Sequence, residues 1–331
     1  MMPAVRILLA GCLLACLAAA AQTDIARTRH NLTATGPGTI RSTESTGLCI
    51  FCHTGHNANP SRGLWNRELP AVTYQPYSSS TMQAATGQPT GSSRLCLSCH
   101  DGILALGTLR VPAKGQAHAL GPLTGPTAIG TDLSKSHPVS FIYDSALAAK
   151  QGELADPLAL PRPVAVDRDR QLQCTSCHDP HDDRRPSFLN METRSGALCT
   201  SCHRPRNWNG SAHATSQATL KGSGSTPWPA GAAGNVADHG CENCHRTHSA
   251  GHSQWLLAQP GESANCTVCH NGNVAGKDIQ AEFQKPQHHP VEGDQWAHDP
   301  KENPLVMPRH VGCTDCHNPH ATSGGPGSPT T

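Results

Sequence analysis

"CTSCHDPH" occupies Cys174 to His181, and a second "CTSCH" begins twenty-five residues after its first cysteine, at Cys199–His203. Two cysteines separated by two residues and followed at once by histidine form the attachment signal of a c-type haem. The chemistry sets the spacing. Two thiols must add to the two vinyl groups on one porphyrin edge, and the next residue then lies under the ring, where its imidazole can bind iron. His181, three places further on, is not needed for this. Its position bears on how neighbouring sites relate.

The five-residue unit occurs seven times, at Cys49–Cys52–His53, Cys96–Cys99–His100, Cys174–Cys177–His178, Cys199–Cys202–His203, Cys241–Cys244–His245, Cys266–Cys269–His270 and Cys313–Cys316–His317. Disulfides in an oxidising compartment or zinc would also use paired cysteines, but neither requires a histidine beside each pair. With histidine at 21 of 331 positions, chance would supply all seven roughly once in a hundred million chains, so the haem signal prevails. The sequence therefore predicts seven covalently attached c-type haems.

Composition agrees. Aromatics are 4 % and charged residues 15 %, with 31 Gly and 27 Pro. Such a chain has little apolar surface with which to offset the entropy of ordering. Large, flat, mostly apolar macrocycles would replace the missing core. The expected fold is that of a multihaem cytochrome c: low regular secondary structure, short helices and long loops wrapped around a chain of stacked haems, with small strands around "VSFIYD". The formal charge of +1 turns acidic once fourteen propionates are added, and nothing resembles a basic nucleic-acid face.

The N-terminus reads as an export signal: "MMPAVR", then the fifteen apolar residues "ILLAGCLLACLAAAA", with small residues before Gln22. That run is short for a membrane span, and no later segment could cross a bilayer. Cys12 and Cys16 within it allow a lipid anchor. The expected location is the periplasm, the outer-membrane surface or the extracellular space.

Four units extend to Cys-x-x-Cys-His-x-x-His, adding His56, His181, His248 and His320. Three residues span at most about 10 Å, too little to round the macrocycle, and Pro180 and Pro319 turn the backbone away from helix. Each extra histidine is therefore expected to ligate a different haem. The spacings Cys174–Cys199 and Cys241–Cys266 are both twenty-five residues, so the blocks align without a gap. Phe188-Leu189 then matches Trp255-Leu256, with Leu64 in register. Three haem pairs and one orphan result, an internal repeat. The expected organisation is a signal peptide at 1–21, a first pair with a long insertion at 22–170, a second pair at 171–235, and a third pair plus the unpaired C-terminal haem at 236–331.

The paired motifs, together with "LWNREL", "GQPTGSSRLCLSCHDG", "SHPVSF", "HHPVEG" and "RHVGCTDCHNPH", resemble the doubled CXXCH family of multihaem c-type cytochromes found in metal-reducing and related bacteria. The resemblance implies bis-histidine haems in closely packed chains. Only Met82, Met191 and Met307 follow the leader, so histidine is the expected second axial ligand, which implies low potentials. Beyond the four extra histidines, the candidates are His30, and His137 and His289 in their His-Pro-Val contexts. His213 and His310 stand in reserve, and His118, His239, His252, His288 and His298 are expected to lie outside the ligand set.

Six-coordinate iron exchanges electrons but offers no open position. The expected role is electron transfer to redox partner proteins or extracellular mineral acceptors, without a catalytic residue of the chain's own. The alternative is a nitrite- or hydroxylamine-type oxidoreductase with one vacant iron and adjacent acid–base groups. The Cys-x-x-Cys-Lys unit that usually marks a lysine-ligated catalytic haem is missing from the sequence. His30 and the orphan unit at Cys313 lie at opposite ends of the mature chain, which allows an oligomer or filament.

Overall fold

Short apolar runs broken by Gly and Pro build only short elements. The computed structural model describes residues 24–321 except 61–62, 113–119, 222–225, 230, 290, 292–298, 300, 304 and 307–310. The expected leader and His118, His298 and His310 lie outside the described residues.

Helices α1 (Gly91–His100), α2 (Ser145–Gln151), α3 (Cys174–Cys177), α4 (Ala197–Cys202), α5 (Ala212–Thr215), α6 (Val236–His239), α7 (Glu262–His270) and α8 (Ile279–Glu282) are joined by single 3-10 turns and long loops. Local chemistry sets their ends. The Asp144 side chain accepts from the Leu147 amide to start α2, and Gly152, at φ 79°, ends it in the left-handed conformation. Asn235 caps α6 in the same way through the Asp238 amide. Among the described residues no helix is long and apolar enough to cross a membrane.

The "VSFIYD" segment supplies strand β1 (Phe141–Ile142), which pairs antiparallel with β2 (Gln171–Leu172). Phe141, Tyr143, Ala148 and Leu172 form one small buried cluster there, and Tyr74, Leu97 and Leu133 form another. Helix α1 leans on α3 through polar contacts: Ser93 Oγ donates to Gln173 Oε1 at 2.6 Å and accepts from the Cys174 amide at 3.0 Å. Residues 137–155 reach across to the fourth unit, where the Ala155 amide donates to the Cys202 carbonyl and Leu154 bridges to His203.

The repeat is real in space, with a correction to its register. The residues after His53, His178 and His245 each double back: His53 bridges to Trp65, His178 to Leu189 and His245 to Leu257. The returning strap donates an amide to the second cysteine's carbonyl from Asn66, Asn190 and Ala258 respectively. Leu64, Phe188 and Leu256 are therefore equivalent, and all three hold positive φ of 52–59°. The ungapped alignment is off by one in the block at Cys174, whose strap is one residue shorter. Equal cysteine spacing conceals the shift because the residue returns further along the loop.

Polar groups replace apolar ones in the interior. Arg67 is fully buried, with its guanidinium donating to the carbonyls of Leu106, Ser98 and Ala105 at 2.6, 3.3 and 2.9 Å. Replacing Arg67 by Met leaves three buried carbonyls without that donor. At about 1 kcal/mol net per hydrogen bond, the loss is expected to be about 3 kcal/mol. Guanidinium unfolding of the two holoproteins, read by protease protection, checks this; equal midpoints would contradict it.

Candidate haem-ligand site

Each attachment unit forms one helical turn, which at Cys96 and Cys266 is the last turn of α1 and of α7. The histidine amide donates to the first cysteine's carbonyl at Cys49–His53 (2.7 Å), Cys174–His178 (3.0 Å), Cys199–His203 (2.8 Å), Cys241–His245 (3.0 Å) and Cys313–His317 (3.0 Å). This bond gathers both thiols and the imidazole on one side of the turn, as attachment to a flat group requires. The Asn190 amide group donates to the carbonyls of Thr175 (3.0 Å) and Ser176 (3.2 Å) within the turn. Asn66, its counterpart, donates to the Ile50 carbonyl at 2.7 Å.

Successive turns lie near one another through their cysteines. The first cysteines Cys96 and Cys174 interact, as do Cys199 and Cys241, and Cys266 and Cys313. The second cysteines Cys52 and Cys99, Cys177 and Cys202, and Cys244 and Cys269 are close enough for the charge of one to act on the other. The seven turns thus form one unbroken row with alternating contacts. Burial pushes the thiols of Cys52, Cys177 and Cys244 up to about 12. A thioether carries no proton to lose and suits such a position better than a thiolate.

Across this row, imidazoles face each other in pairs. His53 faces His181 with ring centroids 6.3 Å apart, His100 faces His30 at 6.2 Å, and His178 faces His248 at 6.2 Å. His203 faces His137 at 6.1 Å, His245 faces His320 at 6.1 Å, and His270 faces His213 at 6.2 Å. Two imidazoles bound end-on to one metal, with bonds of about 2 Å and each ring centre about 1.1 Å behind its nitrogen, hold their centroids roughly 6 Å apart. The spacing in all six pairs fits one iron between the rings. The planes fall into two sets. The pairs containing His53 and His245 are stacked at 16° and 28°, and that containing His178 is tilted at 35°. Those containing His100, His203 and His270 are close to perpendicular, at 73°, 80° and 81°.

The backbone orients the rings. Nδ1–H donates to a carbonyl in His53 (Gly63, 2.5 Å), His100 (Thr127, 2.9 Å), His178 (Ser187, 2.8 Å) and His245 (Trp255, 2.8 Å). The same holds for His30 (Pro180, 2.9 Å), His137 (Pro138, 3.0 Å) and His213 (Pro319, 2.9 Å). A carbonyl can only accept, so the proton resides on Nδ1 and the Nε2 lone pair is available to a metal. Burial lowers the pKa of His203 and His248 to about 4, and like-charged histidines add to the effect. These rings are neutral, as ligands must be. Phe188 stacks on His30 at 4.3 Å and Trp208 meets His320 edge-on at 6.1 Å, fixing the ring planes further.

Among the described residues no three or more His, Cys, Asp or Glu side chains gather as a simple cation site requires. A porphyrin supplies four nitrogens itself, so two imidazoles suffice for its iron. The donor set fits haem and does not fit zinc.

Not every candidate lies opposite a partner. His56, His288, His289 and His317 are exposed, and among the described residues no ring faces them. His213, held in reserve on sequence grounds, stands opposite His270. His239 is buried and stacks on Trp228 at 4.9 Å, away from the pairs. The Nδ1 acceptors Gly63, Thr127, Ser187 and Trp255 act through backbone carbonyls, so no side-chain pattern marks them in the sequence.

Residues 163–207 match the family model described as the doubled CXXCH motif, which spans the turns at Cys174 and Cys199. The motif denotes covalently bound c-type haem, and with it a c-type cytochrome. No curated protein matches the chain.

Replacing Asn190 by Leu removes two buried hydrogen bonds from the turn at Cys174. The holoprotein is expected to lose about 2 kcal/mol of stability, measured by denaturant unfolding. An unchanged midpoint would show that the turn does not depend on this side chain.

Proposed function

We propose that the chain is a heptahaem c-type cytochrome that carries electrons through closely spaced bis-histidine haems in periplasmic or extracellular electron transfer. The observation that carries this reading is the set of six opposed imidazole pairs, each 6.1–6.3 Å apart, along an unbroken row of attachment turns. When bound, haem supplies an iron that gains or loses one electron without making or breaking a bond. The protein's part is to fill both axial positions and to hold Nδ1–H on backbone carbonyls. Rings locked by neighbours reorganise little when charge changes, which favours fast exchange.

Under this reading residues 1–21 direct export, and the partners are redox proteins or extracellular and mineral acceptors. Neither nucleic acid nor an integral membrane position belongs to it. The alternative reading is a nitrite- or hydroxylamine-type oxidoreductase with one open catalytic haem; binding of nitrite or hydroxylamine at one iron, with turnover, would support it.

The direct test is mass spectrometry of the exported protein. A mass exceeding the polypeptide by seven haems is expected, and the bare polypeptide mass would sink the proposal. His181→Ala in the holoprotein is expected to turn one iron in seven five-coordinate, seen as a high-spin band and as carbon monoxide binding to the reduced form. His213→Ala should do the same at a second iron, whereas His239→Ala should do neither.

A further inference from the structure

The residue two places before the extra histidine changes its charge from unit to unit. Asp179 precedes His181, Arg246 precedes His248 and Asn318 precedes His320. Each of these histidines stands opposite a ring of another unit: His181 faces His53, His248 faces His178 and His320 faces His245. A carboxylate, a guanidinium and an amide thus occupy one position of the repeat, beside three comparable ring pairs.

Asp179 acts on its histidine directly. Its Oδ1 accepts from the His181 amide at 2.9 Å and from His181 Nδ1 at 3.1 Å. Elsewhere in the six pairs, His53, His100, His178, His245, His30, His137 and His213 give Nδ1–H to a backbone carbonyl. Among the described residues of these pairs, His181 is the one that gives it to a carboxylate. Arg184, whose charge also feels Asp179, is engaged elsewhere: Nε and Nη2 donate to both oxygens of Asp182 at 2.6–3.0 Å. Asn318 makes the same turn, its Oδ1 accepting from the His320 amide at 3.0 Å, but brings no charge. Arg246 directs its guanidinium to the carbonyls of His245 (2.9 Å) and Pro227 (3.0 Å).

A ligand imidazole whose far N–H is held by an anion is a stronger donor at its other nitrogen. The oxidised iron carries one more positive charge than the reduced, so it gains more from that donor and from the nearby negative charge. We propose that Asp179 is a positioning residue for an iron attached to another unit: through His181 it lowers the reduction potential of the iron held between His53 and His181. The charge at this position of the repeat is then what separates the potentials of the irons that the extra histidines reach. No bond forms or breaks in this effect. Asp179 is about half exposed, so water screens its charge. About a tenfold shift in the ferric–ferrous equilibrium, the low end for an outer-shell partner, corresponds to about 59 mV for one electron. This inference rests on the proposed haem row and adds how one of its sites is tuned.

The test uses the holoprotein. Asp179→Asn keeps an acceptor for the His181 amide and removes the charge. Spectroelectrochemical titration is expected to show one of seven one-electron components moved upward by about 59 mV. The low-spin spectrum should stay intact, with carbon monoxide still excluded from the reduced form. Asn318→Asp, the reverse change in the equivalent turn, should move a component downward by a similar amount. The double variant should show both shifts, because the two residues act on separate irons. Potentials unchanged from wild type in either single variant overturn the proposal. A high-spin iron in Asp179→Asn overturns it too, because Asp179 would then only hold the ring in place. Any of these results in a protein that carries seven haems leaves the electron-transfer reading standing, whereas a protein without haem overturns both.

Discussion

A gap of fixed width between two imidazoles is what the rest of the structure serves. Ring centroids 6.1–6.3 Å apart recur six times, although the paired residues come from distant parts of the sequence and from unlike local structures. His100 and His270 end helices, while His53, His178 and His245 sit on extended backbone tied down by a returning strap. The common width is the one that two metal–ligand bonds would require, and no packing of apolar side chains recurs at all six places.

The gap also explains how so polar a chain holds together. The buried clusters contain a few residues each, too few to order a chain of this length, and much of the interior is filled by Arg67, Gln173, Asn66 and similar groups. Each imidazole pair ties together segments far apart in sequence, such as residues 53 and 181 or 30 and 100. Haem bonded between them would act as a crosslink, and folding and cofactor insertion become one process. Hydrogen bonds alone, at about 1 kcal/mol net, would not order the loops between.

Much of this could be read from the residues. The five-residue unit fixes attachment site and first ligand within one turn, so local sequence suffices. That the extra histidine should reach toward a neighbouring unit follows from its short tether, and His181, His248 and His320 lie opposite rings of other units, while no described ring faces His56. Which neighbour could not be read, because that depends on how units stack. On sequence His289 is the stronger candidate and His213 the reserve, yet among the described residues it is His213 whose loop carries it to an attachment histidine. The strap register escaped for a simpler reason. A one-residue deletion after His178 is cancelled before Cys199, leaving the cysteine spacing unchanged.

The alternation of ring planes has an electronic consequence. Parallel imidazoles donate π density into the same iron d orbital and separate it in energy from its partner. Perpendicular imidazoles donate to one orbital each and leave the two nearly degenerate. If haem iron occupies the six gaps as proposed, the sites come in two magnetic kinds in alternation, with axial-ligand orientation acting as a tuning lever. An electron moving along such a row would meet an unlike neighbour at each of these hops.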